Sequence, residues 1–154
     1  MFTIVRWDSR TYREAIILRN ELLRVSAGQS YLTASPISEI NDIHLVVKRN
    51  GVTVGTLLMH PCSSNCIQIK QVAIHPDYQG RSLGKRLIMY AEQVARNFNF
   101  SIIFLTGRKQ AWGFYEKMGY CDLMDAYHEN GLTLKVFKKE LVYFSKKKEM
   151  KTNG

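Results

Sequence analysis

The sequence contains little cysteine and little proline, with three residues of each among 154. Cys62 and Cys66 are separated by three residues, which is not the CxxC spacing of zinc and redox sites, and Cys121 lies far from both. An odd number of cysteines without a secretion signal predicts free thiols. We therefore expect neither a disulfide framework nor a bound metal.

Long apolar runs are also missing. Arg6 and Asp8 interrupt the start too early for a signal peptide, and no run approaches the length that crosses a bilayer. There is no internal repeat and no interdomain linker. The sequence thus predicts a cytoplasmic protein without a membrane partner. It would consist of one domain over residues 1–144 and a basic, disordered tail over residues 145–154.

Positive charge is in excess, with 22 Lys and Arg residues against 13 Asp and Glu residues and a net charge of +9. The tail holds four lysines against one glutamate, so most of the excess belongs to the domain. This balance indicates a polyanionic partner, for which a phosphorylated small molecule is sufficient. No interleaved aromatic and basic pattern and no nucleic-acid motif is present, so we expect no nucleic-acid partner.

Hydrophobic periodicity predicts strands alternating with helices. Strands are predicted at 2–7, 43–49, 52–60, 67–74, 100–106, 120–127 and 132–138. Helices are predicted at 9–26, 82–97 and 109–118, with a short one after Pro36. Asn50-Gly51 and Asn130-Gly131 predict tight hairpin turns. The order β-α-(α)-β-β-β-α-β-α-β-β predicts an α/β fold in which helices cover the faces of a mixed sheet.

The stretch QVAIHPDYQGRSLGKRL, residues 71–87, combines features of an anion site. An apolar strand ends at Pro76, and a helix begins after a turn that contains Gly80 and Gly84. The first N–H groups of a helix have no partner within the helix and carry partial positive charge, so they suit a phosphate. Arg81 and Lys85 add charge. The spacing matches neither the P-loop nor the GxGxxG fingerprint.

Two segments, VAIHPDYQGRSLG and AWGFYEKMGY, together with the strand order, resemble the GNAT-type N-acetyltransferases, in particular small bacterial members of unassigned substrate. The resemblance covers most of the chain and implies a mostly antiparallel central sheet. The pyrophosphate motif of the superfamily, (Arg/Gln)-x-x-Gly-x-(Gly/Ala), would begin at Gln79 and end at Gly84. Ser82 stands where glycine is usual. Its Cβ would weaken phosphate binding, or its hydroxyl would cap the helix or bind the phosphate.

The resemblance also implies how acetyl-CoA would bind. The backbone of one strand would pair with the pantetheine arm, and one of its N–H groups would stabilise the oxyanion. The next strand would splay away and leave the thioester in the gap. The strand residues are Val72, Ala73 and Ile74. The loop residues around the pyrophosphate are Gln79, Gly80, Arg81, Ser82, Leu83, Gly84 and Lys85.

Tyr115 matches the position of the superfamily's usual general acid, which would protonate the departing thiolate. Its alternative role is that of a core aromatic. Tyr120 fits the start of a strand, and His75 a turn, so both are interpreted as structural. Arg108 would contact a phosphate or an anionic substrate, or lie solvated on the surface.

No general base can be assigned, because the strand segments IQIKQ and FSIIFLTGR contain no carboxylate. A water chain or an amine that arrives deprotonated would serve instead. The candidates that stay open are His60, Glu116, Asp125, His128 and Glu129.

The resemblance implies an enzyme that transfers an acetyl group from acetyl-CoA to a primary amine of a small molecule or protein, by direct attack in a ternary complex. The acceptor would bind between segments 27–42 and 125–133. The alternatives are a catalytically silent acyl-CoA sensor or scaffold and a nucleic-acid binder that uses the tail. The acceptor, the acyl-chain length, the role of the tail and the oligomeric state stay open, with a homodimer among the options.

Overall fold

A mixed sheet of eight strands carries helices on both faces in this computed structural model, which describes residues 1–142. The predicted tail at 145–154 lies outside the described residues. The strands are β1 (Phe2–Val5), β2 (Ile43–Arg49), β3 (Val52–Pro61), β4 (Cys66–Ile74), β5 (Ile102–Arg108), β6 (Cys121–Asp122), β7 (Tyr127–Glu129) and β8 (Leu132–Glu140). The α-helices are α1 (Arg10–Arg19), α2 (Leu83–Asn97) and α3 (Trp112–Lys117).

The spatial order of the strands is β1-β2-β3-β4-β5-β8-β6, and β7 also pairs with β8. Every pairing is antiparallel except that between β4 and β5, which is parallel because α2 crosses between them. The predicted α/β class, with a mixed and mostly antiparallel sheet flanked by helices, is confirmed.

Both predicted Asn-Gly hairpins are present. Asn50 and Gly51 have φ values of 52° and 76°, and Asn130 and Gly131 have 51° and 76°. Positive φ at both central residues is the type I′ geometry that suits the twist of paired strands. The continuous strand predicted over 120–127 is wrong, because β6 ends at Asp122 and pairing with β8 resumes only at Tyr127.

Strand alternation divides the core between the two faces of the sheet. Leu45, Leu57 and Ile69 pack with α2, whose buried residues include Leu87 and Ile88. We call this side the α2 face; α3 shares it.

The opposite side, the α1 face, is covered by helix α1. Tyr12 of α1 is buried there, with its ring 4.7 Å from that of His44 on β2. Strand β5 was predicted to be buried on both sides, but it is fully buried only on the α2 face, at Ile103 and Leu105, while Phe104 is half-buried.

Helix α1 begins one residue after the predicted start, with Ser9 as its N-cap, whose Oγ accepts a hydrogen bond of 3.2 Å from the Tyr12 N–H. It continues as a π-helical turn over Asn20–Arg24. The Asn20 side chain bonds both backbone groups of Leu32, at 2.8 and 3.0 Å, and so fastens the segment that follows. None of the described helices combines the length and apolarity needed to cross a bilayer.

Candidate active site

Strands β4 and β5 separate part-way along their length. They pair only from Cys66–Ile69 to Ile102–Leu105, after which β4 continues with β3 and β5 continues with β8. Backbone groups beyond Ile69 and Leu105 therefore face a gap rather than a neighbouring strand. A cleft of about 640 Å³ occupies this gap and is lined by residues from both faces of the sheet.

A β-bulge lies in β4 where the strands part. The register between β3 and β4 shifts between Thr56 and Leu58, so β4 carries an extra residue. Gln71 there has φ of 59°, in the left-handed region. A bulge leaves one residue outside the ladder and redirects the next side chains. Val72 and Ile74 accordingly pack toward the α2 core and line the cleft.

The turn after β4 is fastened to the end of the strand. His75 donates its N–H to the Val54 carbonyl at 2.7 Å, and its ring nitrogen accepts from the Asp77 N–H at 3.2 Å. The Gln79 side-chain amide donates to the Ile74 carbonyl at 2.9 Å. These bonds fix the position at which α2 begins.

Helix α2 starts with free backbone donors that lie next to the cleft. The first helical hydrogen bond runs from the Arg86 N–H to the Ser82 carbonyl at 3.0 Å, so the N–H groups of residues 83–85 have no partner within the helix. Ser82 has φ of 60° and makes no capping hydrogen bond with its side chain, so the predicted capping alternative is wrong. Gly84 lines the cleft.

Helix α3 places Tyr115 at the cleft on the α2 face. The Trp112 indole N–H donates to the Gly107 carbonyl at 2.8 Å and ties α3 to the end of β5. A Cβ on Gly107 would lie 3.1 Å from the Tyr115 ring, so glycine is what allows this close packing. Tyr115 is 7% exposed and borders the cleft, and its hydroxyl makes no hydrogen bond with residues 1–142. Burial raises the pKa of this hydroxyl.

A family model for the GNAT acetyltransferases, described as the acetyltransferase (GNAT) family, matches residues 5–120. The chain belongs to the GNAT acetyltransferase family. The matched region runs from the end of β1 to Tyr120, and so includes the turn that precedes α2 and the helix α3 that carries Tyr115.

Three known proteins illustrate the likeness. A candidate acetyltransferase of Bacillus subtilis (strain 168) is 27% identical over 89 residues, which are 58% of this chain and 60% of that protein. The crystal structure of a candidate N-acetyltransferase from Lactobacillus plantarum gives a TM-score of 0.79 at 23% identity, with 92% of this chain and 99% of that chain covered. A GNAT family acetyltransferase from Elizabethkingia anophelis with acetyl-CoA bound gives 0.66 at 16%, with 92% and 97% covered. At these identities, the two structures show a shared fold.

The predicted cofactor residues of this GNAT protein fall into two groups. Those that line the cleft are Val72, Ile74, Gln79 and Gly84. Those that flank it without lining it are Ala73, Gly80, Arg81, Ser82, Leu83 and Lys85. Among the second group, Leu83 is buried in a small cluster under the loop, while Arg81 stacks on Tyr78 with its guanidinium 5.6 Å from the ring centroid.

The second tyrosine, Tyr120, has a structural environment. It is buried, and its hydroxyl donates to Glu92 Oε2 at 2.8 Å. Lys139 Nζ lies 3.1 Å from the same oxygen and 2.7 Å from the Met118 carbonyl oxygen. Burial and the charge of Glu92 raise the pKa of Tyr120. The Tyr120 ring packs against that of Tyr115, with centroids 6.0 Å apart.

The α1 face of the cleft is built by the segments predicted to hold the acceptor. Segment 27–42 contributes Ala27 and Gln29, and segment 125–133 contributes Asn130 and Leu132. Arg108 also lines this part, where its guanidinium donates to Ser26 Oγ at 3.3 Å.

None of the open candidates for the general base lines the cleft. His60 is bound to Asp42 at 2.7 Å, and the His128 ring contacts the Thr133 hydroxyl at 3.1 Å. The lining residues include no Asp, Glu or His at all. Over the described part of the chain, no three His, Cys, Asp or Glu side chains cluster as metal ligands would.

Lys70 and Gln110 also line the cleft, although the sequence did not single them out. Lys70 follows Ile69 in β4, so strand alternation sends it to the face opposite the core. That alternation was readable from the sequence, but the level at which β4 loses its partner was not.

The left-handed backbone at Ser82 leads to a stability prediction. We expect Ser82→Gly to raise the free energy of unfolding by about 0.5–1 kcal/mol, since glycine avoids the left-handed cost but makes the unfolded chain more flexible. Gly80→Ser is the matched control. Gly80 has φ of 76° and no atom within 4 Å of an added Cβ, so this change should cost about 1 kcal/mol through the backbone alone. Urea unfolding measures both, and a loss of stability in Ser82→Gly would contradict the account.

Proposed function

We propose that this protein is an N-acetyltransferase that transfers the acetyl group of acetyl-CoA to a primary amine of a small molecule or protein. The amine would attack the thioester directly in a ternary complex. The observation that carries the proposal is the gap between β4 and β5, which lies beside the free N–H groups at the start of α2.

The diphosphate of acetyl-CoA would bind at the start of α2. Three consecutive N–H groups, of residues 83–85, are available there, and the helix dipole adds partial positive charge. Arg81 and Lys85 supply full charges beside them. The loop 79–85 is held against the end of β4 by the Gln79 hydrogen bond, so its donors are preorganised.

The pantetheine arm would extend along β4 within the gap. Beyond Ile69 this edge of β4 has no neighbouring strand, and an extended chain with amide groups can complete such an edge. The bulge at Gln71 frees an N–H at the level where the strands part. A backbone N–H from Val72 to Ile74 would then stabilise the oxyanion.

Tyr115 would act as the general acid. In the step, the amine nitrogen forms a bond to the thioester carbonyl carbon, the carbon–sulfur bond breaks, and the thiolate takes the hydroxyl proton of Tyr115. The amine proton goes to water, and the tyrosinate regains a proton from solvent. The raised pKa supports this role because it keeps the hydroxyl protonated at neutral pH.

The binding half of the proposal is tested by placing a carboxylate at the start of α2. A Cβ on Gly84 would make only ordinary contacts, at 3.8 Å to Ile74 and 3.9 Å to Phe114, and the helix dipole stabilises a negative charge at this end of the helix. Gly84→Asp should therefore fold, yet bind coenzyme A at least tenfold more weakly in calorimetry, because it repels the diphosphate. Gly113→Asp, in the first turn of α3 with nothing within 4 Å, is the control. Equal affinity in both variants would contradict the site.

A silent acyl-CoA sensor is the second candidate, favoured by the lack of Asp, Glu and His among the lining residues. Release of coenzyme A in the presence of a panel of amines separates the two. Turnover with any amine supports the enzyme. Tight binding of acetyl-CoA without turnover on any amine supports the sensor.

A further inference from the structure

The walls of the cleft carry positive charge that no carboxylate opposes. Lys70 and Arg108 line it, while its other polar lining residues carry amides or hydroxyls. These residues are Gln29, Gln71, Gln79, Thr106, Gln110, Tyr115 and Asn130.

Lys70 and Arg108 both belong to the α1 face of the cleft. Ile69 and Leu105 are buried in the α2 core at the last paired level of the two strands, so Lys70 and Thr106 point the other way. Arg108, two residues beyond Thr106, shares that side, as its bond to Ser26 shows. The two cations therefore lie across the sheet from Tyr115 and on the side where an acceptor would enter.

The positive charge of this pair is available to a ligand. Several other cations of the protein are paired, for example Arg19 with Glu39 at 2.7 Å and Lys135 with Asp122 at 3.6 Å. Lys70 and Arg108 form no ion pair with residues 1–142, and Arg108 contacts only a neutral hydroxyl. Two like charges in a partly enclosed cleft raise the local concentration of anions and repel cations.

We propose that the acceptor is an amine that also carries an anionic group, a carboxylate or a phosphate, which Arg108 binds while Lys70 adds positive potential beside the amine. This inference rests on the proposed acetyl transfer. The amine would lie at the level of Lys70 and Thr106, where the strands part, and the anionic group would extend toward Arg108. Polycationic amines such as aminoglycosides are excluded on the same ground.

The pair also accounts for a cleft whose lining residues include no Asp, Glu or His that could act as the general base. A nearby positive charge disfavours the protonated form of an ammonium ion and lowers its pKa. Lys70 therefore promotes loss of the amine proton to water, while Arg108 compensates for the repulsion by holding the anionic end of the same molecule. One arrangement thus selects the substrate and prepares its nucleophile.

The test compares amines that differ by one anionic group. Release of coenzyme A is assayed with two pairs of amines and with kanamycin as the polycation. The carboxylate pair is β-alanine and its carboxamide, and the phosphate pair is phosphoethanolamine and ethanolamine. The anionic member should have the higher kcat/KM in at least one pair, and which pair does so identifies the anionic group. Arg108→Gln should lower that preference about tenfold because it removes the direct contact, and Lys70→Gln should lower it by a smaller factor because it removes only part of the positive potential. Lys109→Gln removes the same charge next to Arg108 but outside the cleft walls, and should keep the preference.

A second measurement does not depend on turnover. Calorimetry of each amine with the coenzyme A complex should show binding of the anionic member that weakens in Arg108→Gln. If the amines bind in this way but none is acetylated, the acceptor inference stands and the enzyme proposal fails. The acceptor inference is overturned, while the enzyme proposal stands, if amines without an anionic group or kanamycin are acetylated in preference to those that carry one. It is also overturned if Arg108→Gln leaves the preference intact.

Discussion

Replacing Tyr115 with phenylalanine is expected to lower kcat about 10²–10³-fold, with little change in the affinity for acetyl-CoA. The variant loses one hydroxyl and keeps the ring, which packs on Gly107, Tyr120 and Phe137. Without a proton donor the thiolate must leave unprotonated, and general acids contribute rate factors of about this size. Steady-state release of coenzyme A, with calorimetry for the cofactor, measures both quantities.

Tyr120→Phe is the matched control, because the two rings pack against each other in the same core. The Tyr120 hydroxyl donates to buried Glu92 rather than to the cleft. Its loss should cost about 1–3 kcal/mol of stability and change kcat only a few-fold. If the two variants lose activity equally, the acid role of Tyr115 is contradicted and both tyrosines are packing residues.

The pH profile gives an independent check on Tyr115. The active form is the protonated hydroxyl, and deprotonation at high pH removes the acid. Because burial raises the pKa of Tyr115, the alkaline fall in kcat should occur above the ordinary tyrosine value of about 10. The fall should be absent from the residual activity of Tyr115→Phe. A fall below pH 9 in the wild type would assign the acid to another group.

The elements of this fold could be predicted because their signals are local. Six apolar positions repeat along one side of α2, and an Asn-Gly pair specifies each hairpin through its own backbone preference. The turn after β4 was likewise marked by Pro76 and the glycines that follow. Each of these features depends on residues close together in the sequence.

The cleft could not be predicted at the same level of detail, because it depends on pairings between distant strands. Strands β4 and β5 lose their pairing after Ile69 as the two halves of the sheet diverge, and no residue in the sequence marks where this happens. Gln71 adopts a left-handed backbone without being glycine or asparagine. The placement of Lys70 and Arg108 on one side follows only once that level is known. The break between β6 and β7 is also a matter of register along β8.

Replacing Lys139 with methionine is expected to lower the free energy of unfolding by about 3–5 kcal/mol. Lys139 neutralises Glu92, whose side chain is 6% exposed, and its ammonium also donates to the Met118 carbonyl at 2.7 Å. Removing one partner of a buried pair leaves the other charge uncompensated, which costs far more than the pair contributes. Urea unfolding measures the loss. Lys138→Met is the control, since Lys138 is adjacent in β8 and forms no ion pair with residues 1–142.

The double variant Glu92→Gln with Lys139→Met separates charge burial from lost packing. Glutamine keeps an oxygen that can accept a hydrogen bond from the Tyr120 hydroxyl, and no charge remains to be buried. We therefore expect the double variant to recover more than half of the stability that Lys139→Met loses. If both variants are equally unstable, the methylene packing of Lys139 matters rather than the charge of Glu92. Because Tyr120 packs on Tyr115, we also expect Lys139→Met to lower kcat and the double variant to restore part of it, which would link this buried pair to the position of the proposed general acid.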